Sequence, residues 1–515
     1  MAVTLRRMQS ALLSMLADPA THAGNAVAVH ETHASWVFVA GERAYKVKKP
    51  LSLGFLDYST LELRHRACLE EVRVNQELAP GIYLGVCAIV KTATGFALTA
   101  DDQETEAVEY AVVMSSFDQA HTLTGLIAAE TLAPEHLTAV AARLSRFHRD
   151  APLVSGGGVA QVLAQWRKNL RELRAADRVL ELPIELAEGF GAAFARVHGQ
   201  KIERRRLTGW VRDGHGDLRC EHVLATPSVK IVDRIEFDAS LRHGDIASDL
   251  AFLTMDLEFR GQSWAAEQLL QAYRESGIDP GSEALLSFYG AERALVRAKV
   301  ALIAAAEHED LSRAESLAEA LSLWKLAERL CWRARAPLAI VVCGPPGSGK
   351  STLAGELARR SGFAVRSSDA VRKSAAGLQP TERASPEHYT HRFTHHTYEL
   401  LAGEAREVIA GGAGVIVDAT CGSRVERSTL LGRLRATGAP RLVVRCEIPL
   451  EVAQRRAQER LQDPNRVSDA NPEIVAEQYR SFQPLEELAP GDVLTMDTRV
   501  GLDLQIARVT RAVDQ

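Results

Sequence analysis

One short segment constrains the fold of this 515-residue chain more than any other: a glycine-rich loop that follows an apolar run. Residues 338–343 are entirely apolar (LAIVVC), and Gly344–Thr352 (GPPGSGKST) follow them directly. The loop satisfies the pattern GxxxxGK[ST] in full, and a helix is predicted over about Ser351–Ser361. Glycines let successive backbone N–H groups point inward around an anion, and the helix N-terminus adds its positive dipole end. The segment therefore predicts a strand, loop and helix that wrap phosphates.

The loop also offers the groups that a bound nucleotide needs. Lys350 is predicted to reach the β- and γ-phosphates, and the hydroxyl of Ser351 is predicted to ligate Mg²⁺. The whole predicted nucleotide-binding set in this loop is Gly344, Gly347, Ser348, Gly349, Lys350, Ser351 and Thr352. ATP and Mg²⁺ are thus the expected cofactors, and the alternative is a glycine-rich turn that binds no nucleotide.

The pattern of apolar runs predicts two folded parts. From residue 336 to residue 515, apolar strands at 338–343, 414–418 and 441–446 alternate with helices, which favours a parallel sheet covered by helices. Before that point, residues 27–115 alternate short strands with one helix, and residues 116–335 are mostly helical. The predicted fold class is accordingly α/β and α+β, with a domain boundary near residue 336.

Two carboxylates follow predicted strands of the C-terminal part. Asp369 ends the segment Ser367–Asp369, where it can take a proton from an acceptor hydroxyl, and Arg372 can hold that acceptor. Asp418 ends the apolar strand 414–418, where a carboxylate lies near Mg²⁺ bound to a phosphate loop. The alternatives are a helix N-cap for Asp369 and an ordinary strand-end residue for Asp418.

A third element is a predicted arginine-rich helix. Arg456 and Arg460 lie four residues apart and hence on one helical face. Arginines on a mobile lid can close over phosphates and stabilise the charge that is transferred. The alternative is a solvated charged face.

Together these segments resemble the small P-loop kinases, the group that includes polynucleotide kinase, gluconate kinase and zeta-toxin-like enzymes. The resemblance covers about residues 338–500. It implies that Asp369 is the acceptor-side base, that Arg372 contacts the acceptor, and that Arg456 and Arg460 belong to a lid. The guanine-specificity motif NKxD of GTPases is absent from the sequence.

The N-terminal part carries a second set of motifs. Residues 214–223 read GHGDLRCEHV, and a short strand follows them and leads to Asp233. With Ala44-Tyr45-Lys46 and Glu71 upstream, the pattern resembles the aminoglycoside phosphotransferase branch of the bilobal protein-kinase-like fold. The resemblance spans about residues 27–330, and the N-terminal domain is predicted to cover residues 1–335.

This resemblance implies a role for each matching residue. Asp217 would be the catalytic base, Lys46 would hold the α- and β-phosphates, and Glu71 would hold Lys46. Asp233 and His222 would occupy the metal-ligand positions. Imidazole is a poorer ligand than an amide or carboxylate oxygen for a hard cation, and the family has Asn where His222 stands.

Further details leave the activity of this part open. Asp245 and Asp249 would brace the catalytic loop, and Glu236 is a candidate replacement for the missing ligand. No clear glycine-rich phosphate loop occurs around residues 30–42. An active phosphotransferase, an inactive nucleotide-binding domain and a purely structural domain all remain open.

Composition narrows the partners. The formal net charge is -5, which gives no global reason to bind nucleic acid or an anionic membrane. Seven scattered cysteines without a CxxC pair suit free thiols in the cytoplasm, and no apolar run reaches the roughly 18 residues that span a bilayer. The two halves in one chain resemble bacterial bifunctional aminoglycoside phosphotransferase-like and ATP-binding proteins.

The predicted function is therefore ATP- and Mg²⁺-dependent phosphoryl transfer to a hydroxyl of a small molecule. Two alternatives remain open at this point. One is a kinase for the 5′-hydroxyl of a polynucleotide, which the acidic balance disfavours. The other is a regulatory protein whose N-terminal part senses a ligand.

Overall fold

The computed structural model describes residues 2–32, 34–53, 56–93, 95–100, 102, 106–225, 228–307, 309–379, 381–460 and 471–515. The chain forms two compact units, each with its own core. The first unit comprises residues 1–161 and 200–281, and the second comprises residues 162–199 and 282–515. Within the described ranges, no helix has both the length and the apolar character that crossing a bilayer requires.

An antiparallel sheet with two helices opens the first unit. Its elements are α1 (Ala2–Ala17), β1 (Val27–Glu31), β2 (Ser35–Ala40), β3 (Arg43–Lys48), β4 (Ser52–Leu53), β5 (Leu56–Asp57), α2 (Leu61–Asn75), β6 (Tyr83–Thr92), β7 (Gly95–Thr99) and β8 (Ala107–Ser115). Six of the strands form one sheet in the order β1-β2-β3-β8-β6-β7. Thr60 caps α2, since its side chain accepts from the backbone N–H of Leu63. Helix α2 packs on β6 and β8, which brings Glu71 to the face of the sheet that carries Lys46.

Helices and short strand pairs make up residues 116–281. The elements are α3 (Leu123–Ala128), α4 (Pro134–Asp150), α5 (Val159–Ala176), α6 (Ile184–Leu207), β9 (Val211–Asp213), β10 (Val223–Leu224), β11 (Lys230–Ile231), β12 (His243–Asp245), α7 (Ile246–Phe259) and α8 (Ser263–Glu275). Strand β9 pairs with β12 and β10 pairs with β11, both antiparallel. These two strand pairs lie between α6 and α7 and interrupt the mostly helical region that the sequence predicts.

The second unit contains a parallel sheet with helices. Its elements after residue 282 are α9 (Glu283–Glu307), α10 (Asp310–Ala334), β13 (Ala339–Cys343), α11 (Lys350–Ser361), β14 (Ala364–Ser367), α12 (Ser368–Ala375), α13 (His391–Ala410), β15 (Val415–Asp418), α14 (Arg424–Arg435), β16 (Arg441–Glu447), α15 (Leu450–Arg460), α16 (Pro472–Ser481), β17 (Val493–Asp497) and α17 (Leu502–Val513). The strand order is β14-β15-β13-β16-β17, and every pair is parallel. The carboxyl ends of the strands therefore meet at one edge, where ligands bind in sheets of this kind.

The core of the second unit extends past the parallel sheet into α10. Trp332 is 1% exposed and packs in the same cluster as Ile340, Leu353 and Ile506. Its ring meets that of Phe363 edge to face, with centroids 5.9 Å apart. The domain boundary at residue 336 remains a prediction. In the structure, α10, which precedes that residue, packs in the core of the parallel sheet.

Candidate functional sites

The loop between β13 and α11 already has the shape of an anion cradle. Gly347 and Gly349 have φ angles of +82° and +88°, in the left-handed region that favours glycine. A Cβ atom at Gly347 would lie 2.7 Å from the carbonyl oxygen of Ala453. The hydroxyl of Thr498 donates to the carbonyl oxygen of Ser348 at 2.5 Å, which holds the loop from below. Glycine backbones and a hydrogen bond from Thr498 therefore fix the conformation of this loop.

Two buried oxygens at this loop lack a partner. Asp418 ends β15 directly beside Val342 of β13, two residues before the loop begins. Its Oδ1 atom is buried and accepts no hydrogen bond in the part of the chain that the structure describes, and the same is true of Ser348 Oγ. Leaving a buried polar atom without a partner costs about 1–3 kcal/mol of folding free energy, and a ligand that contacts both atoms would remove this cost. A hard cation fits the carboxylate oxygen of Asp418, and a phosphate oxygen fits the hydroxyl of Ser348.

The predicted acceptor side lies at the same edge of the sheet. Ser367 of β14 pairs with Asp418 of β15, and Asp369 follows in the first turn of α12. The N-cap of α12 is Ser367, two residues before Asp369, so the alternative in which Asp369 is the N-cap is wrong. The structure thus brings the Asp369 and Asp418 carboxylates to the ends of adjacent strands.

Arg372 is more enclosed than an exposed substrate contact would be. Its side chain is 7% exposed, and Nη1 donates to the carbonyl oxygen of His388 at 2.7 Å and to Thr394 Oγ1 at 3.2 Å. The guanidinium lies over the ring of Tyr389 at 4.7 Å. Its Nε atom is buried without a hydrogen-bond partner within the described ranges. The described residues therefore offer no hydrogen-bond acceptor to the Nε–H group of Arg372.

Of the two predicted lid arginines, the structure describes the side chain of one. Arg456 on α15 donates to both the hydroxyl and the carbonyl oxygen of Thr498, each at 3.3 Å. Because Thr498 also supports Ser348, Arg456 lies against the residue that braces the phosphate loop. The side chain of Arg460 lies outside the described part of the chain, as do residues 461–470.

In the first unit, Lys46 lies between two carboxylates. Its Nζ atom is 2.8 Å from Glu71 Oε1 and 2.7 Å from Asp233 Oδ1, so the ion pair expected between Lys46 and Glu71 is present. The positive charge of Lys46 holds the pKa of Asp233 well below its usual range. A second lysine, Lys48, contacts the other oxygen of Glu71.

The position of Lys48 was not predicted, although the signal was there. Lys46 and Lys48 are two apart on a strand, and strand residues two apart share a face. Lys48 is 1% exposed and also contacts Glu236, whose Oε1 accepts from the hydroxyl of Tyr58 at 2.7 Å. Glu236 is therefore paired with a cation of the chain itself.

Asp217, the predicted base, is held by an arginine two residues later. Arg219 Nε and Nη2 donate to Oδ1 and Oδ2 of Asp217, each at 3.0 Å. Burial would raise the pKa of Asp217, but Arg219 and then His222 reverse that effect and lower it. His222 Nδ1 lies 2.7 Å from the backbone oxygen of Asp217, and Nε2 lies 3.8 Å from Asp233 Oδ2. The structure thus brings Asp217, His222 and Asp233 to one cleft.

Of the two acids expected to brace the catalytic loop, one does so directly. Asp249 accepts from the backbone N–H groups of His215 at 2.5 Å and Gly216 at 2.9 Å. Asp245 instead forms two hydrogen bonds with Arg205, at 2.7 and 2.8 Å, and caps α7. Asp245 therefore fixes the start of the helix that carries Asp249.

The buried imidazole of His215 makes the stability of this loop depend on pH. Burial lowers the pKa of His215 to about 4, and its Nε2 lies 3.0 Å from the carbonyl oxygen of Val232. An unfolded histidine has a pKa near 6.5, so the unfolded chain binds the proton more tightly. We therefore expect the contribution of His215 to the free energy of unfolding to be fully present above about pH 6.5. About 3 kcal/mol of it should be lost as the pH drops toward 4.

Urea unfolding of the wild type and of His215→Asn at pH 7.5 and pH 5.0 tests this expectation. The unfolding free energy of the variant should change less with pH than that of the wild type. Equal pH dependence in both proteins would show that His215 is not the responsible group.

Comparison with known proteins gives a family match and structural neighbours of low similarity. A family profile described as an AAA domain matches residues 340–485. The solved structure of a choline/ethanolamine kinase family protein from Mesorhizobium loti covers 63% of this chain and 99% of its own, with 17% identity and a TM-score of 0.37. The aminoglycoside phosphotransferase APH(3'')-Id from Streptomyces rimosus covers 56% of this chain and 98% of its own, with 16% identity and a TM-score of 0.34.

The region that matches the family profile contains the phosphate loop and most of the parallel sheet. The predicted fold class is confirmed, including the parallel sheet. The protein Rv2004c of Mycobacterium tuberculosis is 32% identical over 459 residues, which cover 87% of this chain and 88% of that protein. The chain belongs to the same family as Rv2004c.

Proposed function

We propose that this protein is an ATP- and Mg²⁺-dependent phosphotransferase whose second unit transfers a phosphoryl group to a hydroxyl of a small molecule. The observation that carries the proposal is the glycine loop after β13 with two buried oxygens, Ser348 Oγ and Asp418 Oδ1, that have no hydrogen-bond partner among the described residues. We assign the activity to the predicted domain at residues 336–515.

The residues of the loop would bind and neutralise the nucleotide. Backbone N–H groups from Gly344 to Thr352 would surround the phosphates, and Lys350 would offset their charge. Ser351 and Asp418 would hold Mg²⁺, which neutralises phosphate charge when it is bound. A cavity of about 560 Å³ is lined by Pro345 of the loop and by the aromatic residues Tyr479 and Phe482. The base of the nucleotide would bind in this cavity.

The acceptor would bind at the carboxyl end of β14, at the same edge of the sheet as the phosphate loop. Asp369 would orient the hydroxyl and take its proton, and Arg372 would hold the acceptor through its free Nε atom. Arg456 and Arg460 would close over the phosphates. This arrangement supplies positioning and charge neutralisation, which phosphoryl transfer mainly requires.

Replacing Asp369 by asparagine tests the acceptor side. Acceptor-dependent release of ADP should fall by about 10²–10⁴-fold, because the amide cannot take the proton, while affinity for ATP stays the same. The measurement is ADP release with a panel of sugars and polyols, and with an oligonucleotide that carries a 5′-hydroxyl.

The matched control is Asp503→Asn, since Asp503 is 92% exposed and pairs with Arg360 on the surface. Undiminished transfer in Asp369→Asn would refute the assigned base. Phosphate on the oligonucleotide alone would favour the polynucleotide kinase instead of a small-molecule kinase.

A second proposal concerns the first unit, which we infer binds a nucleotide as well. The observation that favours it is Lys46, whose ammonium group lies at the cleft between Glu71 and Asp233. A triphosphate would replace Asp233 as a partner of Lys46, while Glu71 keeps the lysine in place. Whether this unit transfers phosphate or senses a ligand depends on Asp217, which Arg219 already holds.

A further inference from the structure

The two ring nitrogens of His222 are both occupied by groups of the chain. Nδ1 lies 2.7 Å from the backbone oxygen of Asp217, and a carbonyl oxygen only accepts, so Nδ1 carries the proton. Nε2 lies 3.3 Å from Arg219 Nη2, and a guanidinium only donates, so Nε2 accepts. No lone pair of the ring faces an open position, and His222 does not fit the role of a metal ligand.

Arg219 brings a fixed positive charge to this place. It donates to both oxygens of Asp217 in a bidentate pair, and its Nη1 contacts Glu221. The side chain of Arg219 is 19% exposed, so water screens this charge only partly. A guanidinium stays protonated at every physiological pH, so the charge of Asp217 is already neutralised and a second cation beside it would meet the positive charge of Arg219.

The other candidate ligands leave room for one cation. Glu236 is paired with Lys48 and accepts from Tyr58, so it does not replace the missing ligand. The side chain of Asp233 is 46% exposed, and only its Oδ1 atom contacts Lys46. The Oδ2 atom of Asp233 is therefore available to a cation.

We propose that the first unit binds a nucleoside triphosphate with a single divalent cation, held by Asp233, and that the guanidinium of Arg219 supplies the positive charge of a second metal ion. The inference rests on the proposed nucleotide binding by this unit. It gives a reason for the imidazole at the metal-ligand position, because the arginine that pairs with Asp217 also donates to His222.

Counting metal ions per nucleotide tests the proposal. The phosphate loop is first disabled in the full chain by Lys350→Ala with Ser351→Ala, which gives the parent protein. With this protein in excess over the non-hydrolysable analogue AMP-PNP, equilibrium dialysis measures the number of Mn²⁺ ions per bound nucleotide. We expect one ion in the parent and one in Arg219→Lys, which keeps the charge.

Adding Arg219→Gln together with His222→Asn should raise the count to two, because the positive charge beside the site is removed and an amide oxygen replaces the imidazole. Adding Asp233→Asn to the parent should remove the gain in AMP-PNP affinity that Mn²⁺ gives, because the carboxylate that holds the ion is lost. Two ions per nucleotide in the parent would overturn the proposal and leave nucleotide binding intact, whatever the folding of the double variant. Absence of any bound nucleotide in the parent would overturn both.

Discussion

Lys350→Ala in the full chain is expected to lower ATP turnover by about 10²–10³-fold, the effect of removing one preorganised donor to developing charge. Lys350 is the first residue of α11, directly after Gly349, which has a left-handed backbone. Its side chain therefore starts at the point where the helix dipole and the loop amides converge. Alanine removes the only ammonium group of the loop and leaves its backbone unchanged.

Release of ADP under saturating Mg²⁺ measures this effect, and binding of a fluorescent ATP analogue separates affinity from rate. Lys168→Ala is the matched control, because Lys168 is an exposed lysine of the same unit. Full turnover in Lys350→Ala would refute the assignment of activity to the second unit. If the first unit also binds nucleotide, Lys350→Ala should leave that affinity intact.

The parts of the fold that are local in sequence could be predicted from it. The strand, loop and helix around Gly344–Thr352 lie where the pattern placed them, because an apolar run and glycines with special φ angles act within ten residues. The strands predicted at 414–418 and 441–446 are also present, at Val415–Asp418 and Arg441–Glu447. Buried parallel strands are readable because both of their faces are apolar.

The contacts that join distant residues could not be predicted in the same way. Glu236 reaches Lys48 across 188 positions in the chain, and nothing in either neighbourhood specifies that partner. The pair of Arg219 with Asp217 is local, but its geometry depends on how the loop is held by Asp249. The identity of an acceptor depends on cavity shape, to which many separate segments contribute.

The place of α10 is the clearest case of such a long-range contact, and it leads to a strong prediction for stability. Trp332→Ala should lower the unfolding free energy of the second unit by about 3–5 kcal/mol, because it removes a fully buried aromatic ring from the core of the parallel sheet. Urea unfolding measures the change, and retention of ATP at a fixed urea concentration shows whether the phosphate loop is lost with it.

Trp264→Ala, in the first unit, is the control for loss of an indole, since Trp264 is 42% exposed and its replacement should change the unfolding free energy of the second unit by less than about 0.5 kcal/mol. An equal effect of both substitutions would contradict the packing described for Trp332. The same packing predicts that a fragment of residues 310–515 is more stable than one of residues 336–515. The shorter fragment lacks Trp332 and also Arg335, which donates to both oxygens of Asp514 at 2.7 Å. A phosphate loop whose strand and helix lose that support should bind nucleotide more weakly, so the longer fragment is the one on which the activity of this half can be measured.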